Sequence, residues 1–150
     1  MPTFAPSHKN HTIMKTKFYL CTVCGNVTVK MVDSGVTMSC CGKPMMELVP
    51  SETDGLGEKH LPVVEWLDKS TLKVKVGSIA HPMTENHRIM FIYLETEHGG
   101  QIHYLKPGDP AEAVFHICGD KPVAVYEYCN VHGLWKSPVK KEESLCNVCM

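Results

Sequence analysis

The sequence predicts an all-β protein: a small metal-binding domain followed by a larger antiparallel β-sandwich. Three observations lead there. Short runs of β-branched and aromatic residues recur at close spacing between Gly-, Pro- and Asp-containing turns, the pattern of sandwiches and barrels. No segment carries a good amphipathic-helix period. Four cysteines crowd from Cys21 to Cys41, within a candidate domain below the roughly 40 residues under which a metal or a disulfide is usually needed to hold the fold.

Residues 1–16 are polar, with Pro2, Pro6, His8 and His11, and read as a flexible leader. Residues 17–50 form the first domain. Its expected strands are Phe18 to Leu20, Val27 to Val32, Val36 to Met38 and Met45 to Val49. Residues 51–57 contain Ser, Thr, Asp and two Gly and read as a linker. Residues 58–138 form the sandwich domain. Pro62 to Leu67 ends at the turn Asp68-Lys69-Ser70. Leu72, Val74 and Val76 alternate with Lys73 and Lys75, a period of two. Ile89 to Leu94 is apolar on both faces and is expected to be central. Glu97 to Gly100 is a hairpin turn, with Gln101 to Leu105 returning from it. After the turn at Lys106-Pro107-Gly108-Asp109-Pro110 come Ala113 to Ile117 and Val123 to Tyr128. Lys136 to Met150 is polar and charged and reads as a tail, residues 139–150 lying beyond the sandwich domain.

The 150 residues suit one or two small domains, at 43% hydrophobic and 21% charged, an ordinary globular composition. A net charge of −1 argues against a general nucleic-acid-binding surface. No apolar run approaches the ~20 residues of a membrane helix, and Met1 to His11 has no apolar core of a signal peptide. The expectation is a cytoplasmic protein without nucleic-acid or membrane partners. In a reducing compartment, eight cysteines and nine histidines favour metal ligation over disulfides.

Cys21-Thr22-Val23-Cys24-Gly25 is a CxxC knuckle, in which two sulfurs can face one ion and Gly25 lets backbone N–H groups turn toward them. Cys40-Cys41-Gly42 supplies a second pair. Four thiolates make a soft tetrahedral site for iron or zinc. The adjacent pair is unusual, because neighbouring side chains must splay to reach one ion. In the second half stand Glu58-Lys59-His60, His81-Pro82-Met83, His87 and Cys129-Asn130-Val131-His132-Gly133. Four imidazoles with one thiolate suit iron, and five ligands leave an octahedral position open for a small molecule.

Taken together, Tyr19-x-Cys21-x-x-Cys24-Gly25-Asn26, Cys40-Cys41-Gly42-x-Pro44-Met45, Glu58-Lys59-His60-x-Pro62, His81-Pro82-Met83 with His87, Lys106-Pro107-Gly108 and Tyr128-Cys129-Asn130-x-His132-Gly133-x-Trp135 resemble the desulfoferrodoxins, the two-iron class of superoxide reductases. The resemblance runs in family order from about Phe18 to Lys136. It implies a desulforedoxin-like first domain with one iron on Cys21, Cys24, Cys40 and Cys41. It implies an immunoglobulin-like sandwich with a second iron, held equatorially by His60, His81, His87 and His132 and axially by Cys129. It further implies one-electron reduction of superoxide to hydrogen peroxide, a homodimer and a rubredoxin-type electron donor. Lys59 is expected to attract the anion and orient a proton-delivering water. Glu58 is expected to take the open position of the oxidised iron. Backbone N–H groups from Asn130 to Gly133 are expected to tune the Cys129 sulfur. A non-enzymatic electron-transfer or metal-binding protein is the alternative, although a pure carrier has no need of Glu58 and Lys59.

The remaining residues carry plainer expectations. His8, His11, His98, His103 and His116 read as structural or exposed. Cys118 ends a strand and reads as a small buried hydrophobe. Trp66 and Trp135 read as packing residues, Trp135 near the second site. Cys146 and Cys149 depart from the family pattern. They read as a redox pair, a metal site between chains or a tail without a role.

Overall fold

A computed structural model describes residues 15–53 and 57–140. The expected leader and the Cys146/Cys149 pair lie outside the described residues.

The first part is built from very short strands. β1 (Phe18–Leu20) lies between β2 (Val27–Val29) and β5 (Met46–Leu48), all antiparallel. β3 (Ser39–Cys40) and β4 (Lys43–Pro44) form a separate two-residue hairpin. The strand expected over Val27 to Val32 stops at Val29, and the one expected over Val36 to Met38 does not form. The cause is local. The Lys30 ammonium donates to Asp33 and to the Val36 carbonyl, while Asp33 accepts from the Gly35 N–H, so side chains fold this segment into a turn in place of a ladder.

One helical turn, α1 (Gly57–His60), leads into the sandwich. One sheet runs β10 (Glu112–His116), β7 (Thr71–Val76), β6 (Pro62–Asp68). The other runs β12 (Gly133–Pro138), β11 (Pro122–Cys129), β8 (Ile89–Thr96), β9 (Gly99–Tyr104). All pairs are antiparallel, which gives the expected immunoglobulin-like layering. Between the sheets Leu72, Val74, Val76 and Phe115 meet Ile92, Leu94, Val125 and Cys129.

The outer face of the four-stranded sheet is also covered. Phe91, Ala124, Tyr126 and Leu134 pack on Phe18 of β1, whose ring stands 5.7 Å from Phe91, 5.4 Å from Tyr93 and 5.2 Å from Tyr126. This double burial explains why Ile89 to Leu94 carries no polar face. The Tyr93 ring also lies over Gly100 on the neighbouring strand, where an added Cβ would collide with it.

Two expectations are corrected here. Lys136 to Pro138 is not tail: β12 pairs with β11 from Gly133 through Pro138. The strand was masked by its polar residues, which suit an edge, where Lys136 lies over the Tyr126 ring. Cys118 is exposed, not buried. β10 ends at His116, and Gly119, with φ +70°, turns the chain outward. The expected linker is anchored at its start: the Ser51 N–H donates to the Leu134 carbonyl and its own carbonyl accepts from Lys136.

Candidate metal centres

Cys21 follows β1 directly, and the Cys21 carbonyl accepts from Gly25 while the Cys21 N–H donates to Asn26. This tight loop brings Cys24 back beside Cys21, and the Cys24 N–H points at the Cys21 sulfur at 3.5 Å. Cys40 ends β3 and Cys41 begins the hairpin turn. The splay that adjacent cysteines require is made in the backbone: Cys41 has φ +53° and Gly42 φ +73°, left-handed conformations that cost a non-glycine residue energy. All four sulfurs lie within 4.8 Å of one another. Cys24 and Cys40 are 3.7 Å apart, Cys40 and Cys41 3.9 Å. A disulfide would need about 2.05 Å. A tetrahedron of sulfurs about 2.3 Å from a central ion has edges of about 3.8 Å. The donor set therefore fits a thiolate-bound metal.

The electrostatics agree. Backbone N–H groups of Cys24 and Val23 lower the Cys21 thiol to about 6. Hydrogen bonds with the neighbouring Cys24, Cys21 and Cys40 push Cys41 up to about 12, because a thiol that donates to its neighbours holds its proton more tightly. A central cation displaces that proton. The Asn26 amide donates to the Cys40 sulfur at 3.7 Å.

The second group gathers from four places. His60 ends α1, His81 and His87 lie in the connection between β7 and β8, Cys129 ends β11, and His132 sits in the turn to β12. The rings stand in a closed order, His60–His81–His87–His132, with neighbouring centroids 4.6 to 5.0 Å apart and planes 64° to 80° to one another. His60 Nε2 is 2.9 Å from His132 Nδ1 and 3.1 Å from His81 Nε2. Two nitrogens at right angles, about 2.1 Å from one ion, stand about 3.0 Å apart. His87 Nε2 is buried without a hydrogen-bond partner, as a nitrogen aimed at an ion must be. The Cys129 sulfur lies 3.6 Å from His81 Nε2 and 3.7 Å from His132 Nδ1.

The wall of this group is held in place. His81 Nδ1 donates to the Pro82 carbonyl at 2.6 Å, which leaves the Nε2 lone pair for the centre. Burial lowers His81 to about 4, so it stays neutral and able to ligate. Cys129 is 0% exposed. Burial raises its thiol, while the His132 N–H, 3.4 Å from the sulfur, opposes that. Trp135 stacks on His60 at 4.8 Å and donates its indole N–H to the His132 carbonyl. His60 and His81 are buried, whereas His132 is exposed, so the ring opens to solvent on one side. Lys59 precedes His60 in α1 and is exposed. Glu58 belongs to α1, with its side chain outside what the structure describes.

All nine sulfur and imidazole residues expected as ligands fall into these two groups. Three supporting residues were missed. The Thr84 hydroxyl accepts from the His87 N–H, and the Thr84 N–H donates to the His87 carbonyl; the Thr-x-x-His spacing was the available signal. The side chain of Asn130, a residue given a role only through its backbone N–H, accepts from Arg88 N–H and donates to the Asn86 carbonyl, tying the His87 connection to the Cys129 turn. Glu127, two residues before Cys129, is fully buried with both carboxylate oxygens unpartnered, and burial raises its pKa well above the ordinary range. No sequence signal separates it from a surface glutamate. His98 is exposed, as expected, and is bonded to Asp120.

Comparison with known proteins agrees with this geometry. The Desulfoferrodoxin family model matches residues 52–138. The chain is 45% identical over 121 residues to the desulfoferrodoxin of Nitratidesulfovibrio vulgaris, covering 81% of this chain and 94% of that one. It is 37% identical over 106 residues to the superoxide reductase of Pyrococcus horikoshii, covering 59% and 92%. The crystal structure of the superoxide reductase from Treponema pallidum superposes with a TM-score of 0.69 at 33% identity, covering 82% of this chain and 97% of that one. With its paired sulfur and imidazole–sulfur donor sets, each suited to one iron, the chain belongs to the desulfoferrodoxin family.

Proposed function

We propose that the chain is a superoxide reductase, passing one electron and two protons to superoxide to give hydrogen peroxide without release of oxygen. The observation that carries this reading is the closed ring of four imidazoles with one buried sulfur to its side. Five donors of this kind suit iron and leave one coordination position for a small anion. Iron bound there supplies the single electron.

In this reading the imidazoles of His60, His81, His87 and His132 and the Cys129 sulfur would hold the iron. The Cys129 thiolate would donate electron density to a bound iron, and the His132 N–H, 3.4 Å from the sulfur, would temper that charge. Lys59, exposed beside His60, draws the anion in and holds the water that delivers a proton. Glu58, in the same helical turn, would be the carboxylate available to a bound iron. Cys21, Cys24, Cys40 and Cys41 hold the other iron. Residues 17–50 and 58–138 act as two domains, with 51–57 between them. The chain works in the cytoplasm as a homodimer, fed by a rubredoxin-type donor. No helix among the described residues is long and apolar enough to cross a membrane.

The test is a superoxide pulse delivered to the reduced, iron-loaded protein. One peroxide per electron consumed, with no oxygen evolved, is the expected result. Oxygen in equal measure with peroxide would make the chain a dismutase. No superoxide consumption at all would leave it an electron carrier.

A further inference from the structure

His87 is aimed differently from the other three imidazoles. His60 stacks on Trp135, His81 donates to the Pro82 carbonyl, and the turn bearing His132 is held through its carbonyl by the Trp135 indole. His87 Nε2 is buried without a hydrogen-bond partner, so its direction is set by the backbone that carries the ring. That backbone is an exposed connection at Thr84, Glu85 and Asn86. Thr84 bonds to the His87 N–H and carbonyl, and the Arg88 guanidinium donates to the Glu85 carbonyl. These bonds close the connection on itself. They set its shape without attaching it to the sandwich.

Attachment comes from Asn130, which follows Cys129 directly. The Arg88 N–H donates to Asn130 Oδ1 at 2.9 Å, and Asn130 Nδ2 donates to the Asn86 carbonyl at 2.9 Å. The Asn130 N–H donates to the Arg88 carbonyl at 3.2 Å. One residue therefore grips the chain on both sides of His87. The grip falls where the regular ladder gives out, since the register of β8 against β11 shifts between Tyr128 and Cys129. Irregularities of this kind re-aim side chains beside a site. The two side-chain partners have fixed polarity, one N–H and one carbonyl, so a carboxamide is needed to satisfy both. Aspartate keeps the acceptor and loses the donor. Alanine loses both.

The consequence is a choice of metal. With His87 in place the donors number five, a set suited to iron. With His87 released, three imidazoles and one thiolate remain, and four donors of these kinds suit tetrahedral zinc. We propose that Asn130 is a positioning residue that keeps His87 in the donor set and so favours a five-coordinate ion over tetrahedral zinc. The inference rests on the reading of His60, His81, His87, His132 and Cys129 as one metal centre.

The full chain, anaerobic and reduced, is loaded with Co2+ and then challenged with Zn2+. The wild type gives the weak d–d bands of five-coordinate cobalt at the imidazole group, above four-sulfur bands that every variant shares. Asn130→Ala gives the stronger bands of four-coordinate cobalt and keeps the thiolate-to-cobalt absorption of Cys129. Its cobalt yields to Zn2+ at about tenfold lower concentration. His87→Ala, which removes the ligand itself, reproduces both changes, and Asn130→Asp falls between. Far-ultraviolet circular dichroism checks folding, and where Asn130→Ala fails it, Asn130→Asp is compared with the wild type by the same criteria. A spectrum and a zinc challenge that match the wild type overturn this proposal alone. So does loss of the Cys129 absorption, which would place the action of Asn130 on the sulfur. A wild-type chain that takes up no five-coordinate cobalt overturns the five-donor centre, and this proposal with it.

Discussion

Trp135 serves two ligands with one side chain. Its ring face supports His60 and its indole N–H holds the His132 carbonyl. Replacement by Leu removes both contacts and should weaken iron retention at the imidazole centre by about 10-fold to 100-fold, the usual cost of losing support behind a ligand. Replacement by Phe keeps an aromatic face and should cost less. Iron release to a chelator, followed with time, ranks the three proteins. In the role proposed for it, Lys59 acts at longer range. Lys59→Met should slow the second-order reaction with superoxide about tenfold and flatten its dependence on ionic strength, since a screened attraction would be lost. Rapid kinetics at several salt concentrations measures both effects. At this scale the sequence was most readable where donor types cluster near strand ends. It was least readable at Glu127, which is buried, and Cys118, which is exposed, because neighbours distant in the chain decide both.

Phe18 shows how a three-residue strand is kept in place. β1 has little ladder of its own, and its ring inserts among Phe91, Tyr93 and Tyr126 of the larger sheet. Phe18→Ala should cost about 3–5 kcal/mol of stability, measured by denaturant unfolding, with both iron spectra retained in the folded protein. At the other end of the sheet, the turn between β8 and β9 is linked by His98 to Asp120 at 2.9 Å. Asp120 raises the pKa of His98 above its ordinary 6.5. A group raised on folding contributes in full below its unfolded value and loses that contribution as pH climbs through the folded one. His98→Gln should therefore lower the melting temperature at pH 6 and leave it unchanged at pH 9. Alternation and turn residues made most strands legible beforehand. β12 was hidden because an edge strand with one wet face reads as polar chain. The segment from Lys30 to Val36 misled in the opposite sense, its valines suggesting a strand that Asp33 and Gly35 turn aside.

Across the whole molecule, the four-stranded sheet is shared. One face closes the sandwich core and the other seats the first part of the chain. The two metal groups thus rest on a common layer while drawing ligands from separate segments. Cys24→Ser should abolish iron binding at the four-sulfur group and its visible absorption. Superoxide consumption by the chemically reduced imidazole centre should persist, because none of its five residues belongs to that segment. The same variant should unfold its first strands at lower denaturant concentration, as expected where a metal supplies folding energy. Metal analysis, a superoxide pulse and a denaturation curve on one preparation report all three.

The contact between these parts depends on something small. Tyr93 can lie over the hairpin and keep its perpendicular contact with Phe18 only because position 100 has no side chain to put in its way. An alanine there would lever the phenol out of its berth and loosen the grip on β1, without touching a single sulfur or imidazole. The fit between the two iron-bearing portions of the chain is thus set, at its margin, by one missing methyl group.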